Sequence, residues 1–246
     1  MGRAELKHFP TDDALAVAAA EAWVETVLAA RDAGQRQLVA LSGGRIAGRF
    51  FTAAAQCAAA TGAGFEHVEF FWADERCVPP TDADSNFRLA RETLLEPARV
   101  PTTNIHRIPG ELPPATAAQR AAAELRRVAG SLERAPQLDL VLLGLGEDGH
   151  VASLFPGHPD TEADTTSLFL PVLNSPKPPP HRVTLGHGPL AAARAVWVLA
   201  SGPGKDVALS QSLAPAGRTP LARVIRQRSW TKIFHESPAP CTPPAA

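Results

Sequence analysis

Apolar and polar positions fall into two recurring patterns along the chain: short continuous apolar runs, and longer stretches with helical recurrence. Thr11-Asp12-Asp13 reads as a helix start, a capping hydroxyl followed by acids at the positive end of the dipole. Leu15, Trp23 and Val27 then recur at helical spacing with Leu28 alongside, Glu21 and Glu25 lie off that face, and Gly34 marks the end. Gln37–Leu41 predicts a short strand. Ser42-Gly43-Gly44 separates it from a second helix over Ile46–Ala60. Val68–Trp72 predicts the next strand, running into Ala73-Asp74-Glu75-Arg76, and Ser85–Leu95 a helix with Leu89, Ala90 and Leu94 inward. A short strand at Ile105–Ile108 and an alanine-rich helix over Ala115–Ala129 follow. Leu138–Leu143, apolar except for Asp139, reads as a strand buried on both faces.

Beyond Pro156 the pattern loosens. Ser167–Leu173 predicts a strand, and Pro176-Lys177-Pro178-Pro179-Pro180 a stiff extended loop. Arg182–Leu185 and Ala195–Ala200 predict two more strands. Gly202-Pro203-Gly204-Lys205 turns into a helix through Leu213, Thr219–Gln227 predicts another helix, and Thr231–Phe234 a last strand. Strands alternate with helices throughout, so the class is α/β: a mostly parallel sheet with helices on both faces. Residues 1–236 are read as a single α/β domain, with the segment at about Pro156–Pro180 able to form a small flap. Residues 237–246, rich in proline and alanine, are expected to be a disordered tail.

Composition narrows the function classes. The 246 residues are 45% hydrophobic and 20% charged, with a formal net charge of −1, so nothing attracts the whole molecule to nucleic acid or an anionic membrane surface. Any anion must be held by locally placed cations. Cys57, Cys77 and Cys241 are too few and scattered for a disulfide framework or zinc cluster, and no His-x-x-x-His or Cys-x-x-Cys pair exists, so no metal is expected. The first ten residues hold no apolar signal core and no stretch has membrane-spanning length, so a cytoplasmic location is expected. His8, His158, His187 and His235 lack partners at ligand spacing and are expected at the surface or in loops; His67 and His106 flank strands and read as structural.

Four segments carry candidate chemistry. Ser42-Gly43-Gly44 before a helix offers backbone N–H groups, a hydroxyl and a helix N-terminus to an anion, without the lysine of a P-loop or the spacing of a dinucleotide fingerprint. Asp74-Glu75-Arg76 places three charges directly after an apolar strand, and Arg76 is suited to an oxyanion. Gly144-Leu145-Gly146-Glu147-Asp148-Gly149-His150 is a glycine-rich turn with an acid and a histidine just past a strand's carboxyl end, where ligands bind in open α/β sheets. Arg182 and Lys205, with Ser42-Gly43-Gly44, form a candidate clamp for a dianionic phosphate.

The order of these segments is similar to one family. Ser42-Gly43-Gly44, then Asp74-Glu75-Arg76 with Val78-Pro79, Ser85-Asn86, Asn104-Ile105-His106, Gly144 through Pro156, Arg182-Val183-Thr184 and Gly204-Lys205 resemble the 6-phosphogluconolactonases, over about Ala40 to Leu209. The resemblance implies a Rossmann-like fold of the glucosamine-6-phosphate deaminase/lactonase type. It implies hydrolysis of the δ-lactone of 6-phosphogluconic acid in the pentose phosphate pathway, with a small phosphosugar lactone as ligand and no cofactor. It also implies site roles: His150 as general base, Asp148 orienting it, Arg76 at the oxyanion, Asp74 on a sugar hydroxyl or on Arg76. Ser42, Gly43, Gly44, Arg182 and Lys205 would hold the phosphate. The family usually has a threonine where this chain has Ile46, so Arg45 is the candidate to compensate.

Two alternatives remain. Glucosamine-6-phosphate deaminases resemble the chain at Asp74, Asp148 and His150, but carry a glutamate where this chain has Phe155 and lack an arginine at the place of Arg76. A non-catalytic sugar-phosphate sensor is expected to lose the acid or the histidine, and both are present. Whether the chain works as a monomer or an oligomer is open.

Overall fold

The computed structural model describes residues 2–130, 136–162 and 166–237. Among these residues, six strands form one sheet: β1 (Arg3–Phe9), β2 (Gln37–Leu41), β3 (Val68–Trp72), β5 (Leu140–Gly144), β8 (Ala195–Ala200) and β9 (Trp230–Glu236). Their order is β1-β9-β8-β5-β2-β3 and every pairing is parallel. A second sheet, antiparallel, takes the order β4-β7-β6 from β4 (Asp74–Arg76), β6 (Phe169–Val172) and β7 (Arg182–Leu185).

The inner strands are buried at consecutive positions, the last four residues of β2, the first four of β5 and the last five of β8, so both faces are covered. Helix α1 (Asp12–Asp32) starts at Thr11, whose hydroxyl accepts from the Ala14 N–H at 3.1 Å. It buries Leu15, Trp23 and Val27 as their spacing predicts, and Trp23 packs on Phe50, Phe65 and Phe70 at the centre of the core. Helix α2 (Arg45–Thr61) follows β2 directly, and α4 (Pro114–Ala129) packs against β6 and β7. The later helices are α5 (Pro159–Glu162), α6 (His187–Ala192), α7 (Lys205–Leu213) and α8 (Pro220–Arg226).

From β2 the chain steps outward to β3, then returns on the other side of β2 with β5, and β8 and β9 continue in that direction. The carboxyl ends of β2 and β5 therefore flank the point where strand order reverses, which in open α/β sheets is where a crevice opens. Ser42-Gly43-Gly44 leaves one of these ends and the Gly144–His150 turn leaves the other.

Several expectations need correction. Ile105–Ile108 is not a strand: only Ile105 bridges Phe70, after a single 3₁₀ turn at Thr102–Asn104. Pro101 and Pro109 bracket this segment, and the His106 ring is held inward between Glu69 (2.9 Å) and Glu124 (2.8 Å). The helix over Ser85–Leu95 divides into α3 (Asn86–Ala90) and a wider π turn at Arg91–Leu95. β1 was not predicted; it pairs only with β9 and is nowhere fully buried. Within the expected tail Ser237 is described, its N–H bonding Phe9 O at 2.9 Å; the rest, 238–246, lies outside the described residues. No helix among the described residues is long and apolar enough to cross a membrane.

Candidate active site

A cleft of about 420 Å³ opens at the carboxyl ends of β2, β5 and β8. Ser42, Gly43, Gly44, Arg45, Asp74, Arg76, His150, Arg182 and Lys205 all line it. Asp148 does not; it stands behind the His150 ring, its Oδ1 2.5 Å from Nδ1. Burial opposes ionisation of Asp148, but the hydrogen bond and charge of His150 outweigh it, and the carboxyl is held well below the usual range. That contact fixes the ring through Nδ1 and leaves Nε2 as the free nitrogen.

The turn works only with glycine at Gly146. A Cβ there would fall 1.9 Å from His150 Nδ1 and 2.5 Å from Asp148 Oδ1, in the space the pair occupies. The Gly146 N–H donates to His150 O at 2.8 Å, closing the loop on itself. The other side of the imidazole is covered by Phe155, with ring centres 4.6 Å apart.

Asp74-Glu75-Arg76 is not a solvated turn. As β4 it pairs antiparallel with β7, and Arg76 stands directly opposite Arg182. Like charges at opposed positions destabilise a sheet. Arg76 Nη1 donates to Asp84 O at 2.7 Å, while its Nε is buried without a partner. Asp74, 4% exposed, accepts from Ser153 Oγ at 2.7 Å and lies near Asn86 Nδ2 at 3.4 Å. It makes no hydrogen bond to Arg76. Glu75 is buried beneath them and receives the N–H groups of Arg76, Asn86 and Phe87 at 2.7–2.8 Å, tying the start of α3 to β4. Burial pushes its carboxyl up to about 7 against the pull of those donors.

Arg182 is 4% exposed and largely committed. Its Nε reaches Pro179 O at 3.2 Å, and Nη2 reaches the carbonyls of Lys177 (3.2 Å) and Pro178 (2.8 Å). The guanidinium lies 5.6 Å from the centre of the Phe155 ring. These bonds fasten the proline-rich loop against the cleft and bring Lys177 into its wall. Sequence reasoning gave no site role to Lys177, or to Asn86 and Ser153, which it quoted only within the segments of the resemblance. The signals available were a lysine in a chain with few of them, and the position of Ser153 three residues past His150.

At the far end, Ser42 Oγ is buried with no partner, beside the N–H groups that open α2. Gly43 packs on Asn86, whose Oδ1 lies 1.8 Å from where a Cβ on Gly43 would stand. Arg45 reaches across to the turn after β8, where a Cβ on Gly202 would meet its Nη2 at 2.2 Å. Lys205 begins α7 at that turn. Burial lowers its affinity for a proton, Glu147 opposes this, and the cations Lys177 and Arg45 add to it. Five cations thus face one cleft in a chain of net charge −1.

Comparison with known proteins gives the family. Residues 10–233 match the family model described as glucosamine-6-phosphate isomerases/6-phosphogluconolactonase. The chain belongs to this family. It is 34% identical over 221 residues to the 6-phosphogluconolactonase of Mycobacterium tuberculosis, covering 86% of each protein. To that of Bos taurus it is 36% identical over 203 residues, covering 82% of this chain and 78% of the relative. The solved structure of 6-phosphogluconolactonase from Trypanosoma brucei superposes with a TM-score of 0.80 at 27% identity, over 97% of this chain and 98% of that one.

Proposed function

We propose that the protein hydrolyses 6-phospho-D-glucono-1,5-lactone to 6-phospho-D-gluconate, the lactone-opening step of the oxidative pentose phosphate pathway. The observation that carries this reading is His150, held from behind by Asp148, in a cleft that the Arg76–Arg182 couple also lines. The names of the relatives support the substrate.

The phosphate is held remote from chemistry by Ser42, the N–H groups of Gly43 and Gly44, Arg45, Lys177 and Lys205. Remote binding places the lactone carbonyl over the imidazole. His150 Nε2 takes a proton from water as the oxygen adds to the carbonyl carbon. Arg76, whose guanidinium lines the cleft, receives the resulting oxyanion. The intermediate collapses by breaking the bond to the ring oxygen, which leaves with the proton from His150. The remaining acid ionises to the carboxylate. Asp148 stays ionised throughout and steadies the imidazolium. Asp74, held by Ser153, positions a sugar hydroxyl, and Arg182 holds the loop that carries Lys177 while adding positive charge beside Arg76.

Phe155 separates this chemistry from the deaminase reaction. At that place the ring covers His150, so no carboxylate partners the histidine from that side. Incubation with freshly prepared lactone, following acid release above the spontaneous rate, tests the reading; glucosamine 6-phosphate in parallel should release no ammonia. Ammonia release without lactone opening would reverse the assignment.

A further inference from the structure

A second cleft, of about 580 Å³, lies on the other side of the catalytic turn. Its wall carries Arg218, Arg223 and Arg226 against one acid, Glu162. That acid is already engaged, accepting from the Gly157 N–H at 3.3 Å and lying 3.8 Å from Arg223. Arg226 is held by Gly217 O, whereas Arg218 is exposed and makes no hydrogen bond or ion pair among the described residues. Among the described residues the excess charge is therefore uncompensated.

A buried group without a partner also belongs to this wall. His187, expected at the surface, is 2% exposed and forms part of the wall, and its Nδ1 has no hydrogen-bond partner among the described residues. A buried polar nitrogen left unpaired costs free energy unless something fills the site. Burial, and then the charge of Arg223, pushes this imidazole down to about 4, so at neutral pH it is an uncharged donor or acceptor beside three cations.

We infer that this cleft is a second anion site that takes a phosphate group, free or on a small phosphorylated molecule. Guanidinium forks match the oxygens of a phosphate, and the cleft has the volume of a small-molecule pocket rather than the length of a groove. Through Thr219 its wall adjoins the catalytic turn. Thr219 fills the space where a Cβ on Gly149 would stand, at 2.5 Å, and the Leu221 N–H donates to Gly149 O at 3.2 Å.

Equilibrium dialysis of the full chain against labelled inorganic phosphate, at constant ionic strength, tests the site. Wild type is expected to bind two equivalents. Arg218→Glu should lose the second, its affinity there falling about tenfold or more, as for loss of one charge-assisted contact. Lys205→Glu should lose the first and keep the second; only this arm rests on the reading of the first cleft. Arg218 is exposed and unbonded, so its replacement should leave the melting temperature and lactone turnover unchanged. On Lys205→Glu, displacement of the label by 6-phosphogluconate at lower concentration than by unlabelled phosphate assigns a sugar phosphate; equal displacement assigns free phosphate. Wild-type stoichiometry and affinity retained in Arg218→Glu, or displacement by chloride as effective as by phosphate, would overturn the inference.

Discussion

Asp148 Oδ1 lies 2.5 Å from Nδ1 of His150, closing a pair that only two residues of chain separate. The carboxylate stands behind the ring rather than in the cleft, so its work is to hold the imidazole and its tautomer. Asp148→Asn keeps the shape and removes the charge. Turnover should fall by roughly 10²–10⁴-fold, the range of a positioned general base, with little change in KM. Steady-state kinetics at neutral pH checks this; a raised KM at unchanged kcat would place Asp148 on substrate instead.

Gly146→Ala should act through His150. The added methyl would stand where Nδ1 now is, 1.9 Å away, and the side chain rather than the backbone must give way. A catalytic group displaced by about 1 Å costs on the order of 10²-fold in rate. The expected result is a folded protein, judged by circular dichroism, with kcat reduced by that order.

Lys177 and Arg182 should separate in their effects. Lys177→Ala removes one cation from the cleft wall and is expected to raise KM about tenfold without moving the melting temperature. Arg182→Ala releases three carbonyls and the loop that they belong to, so it should raise KM and also destabilise the fold by about 1–3 kcal/mol. Thermal denaturation alongside kinetics distinguishes them.

The buried His187 makes stability depend on pH. Its folded value of about 4 lies below the ordinary 6.5, so between these values the unfolded chain binds the proton and the folded chain does not. Stability from this group is full above pH 6.5 and is lost as pH falls toward 4, by a total on the order of 3 kcal/mol. Denaturant melts across that window should show the slope in wild type and a flatter one in His187→Gln.

Much of the parallel sheet was legible because its strands are buried on both faces, which makes runs such as Leu138–Leu143 continuous and unmistakable. β1 escaped because none of its residues is fully buried: Ala4, Leu6 and Phe9 are spread among Arg3, Glu5, Lys7 and His8. The candidate site could be read from loops that leave strand ends. Its internal pairing could not, because the Arg76–Arg182 register joins segments about a hundred residues apart through a sheet with three-residue and four-residue strands. His187 and His235 were expected at the surface and are buried. His187 opens α6 and His235 stands in β9, and only tertiary packing covers them.

The central claim is that His150 supplies the base in a cleft that binds the phosphosugar without it. Wild type and His150→Ala should be compared on freshly made 6-phosphoglucono-δ-lactone in mildly acidic buffer, where spontaneous opening is slow, with binding of 6-phosphogluconate measured on both. Acceleration by wild type, loss of roughly 10²–10⁴-fold in the variant, and product binding retained in both is the predicted result. Full turnover by His150→Ala, or no acceleration by wild type, would contradict it.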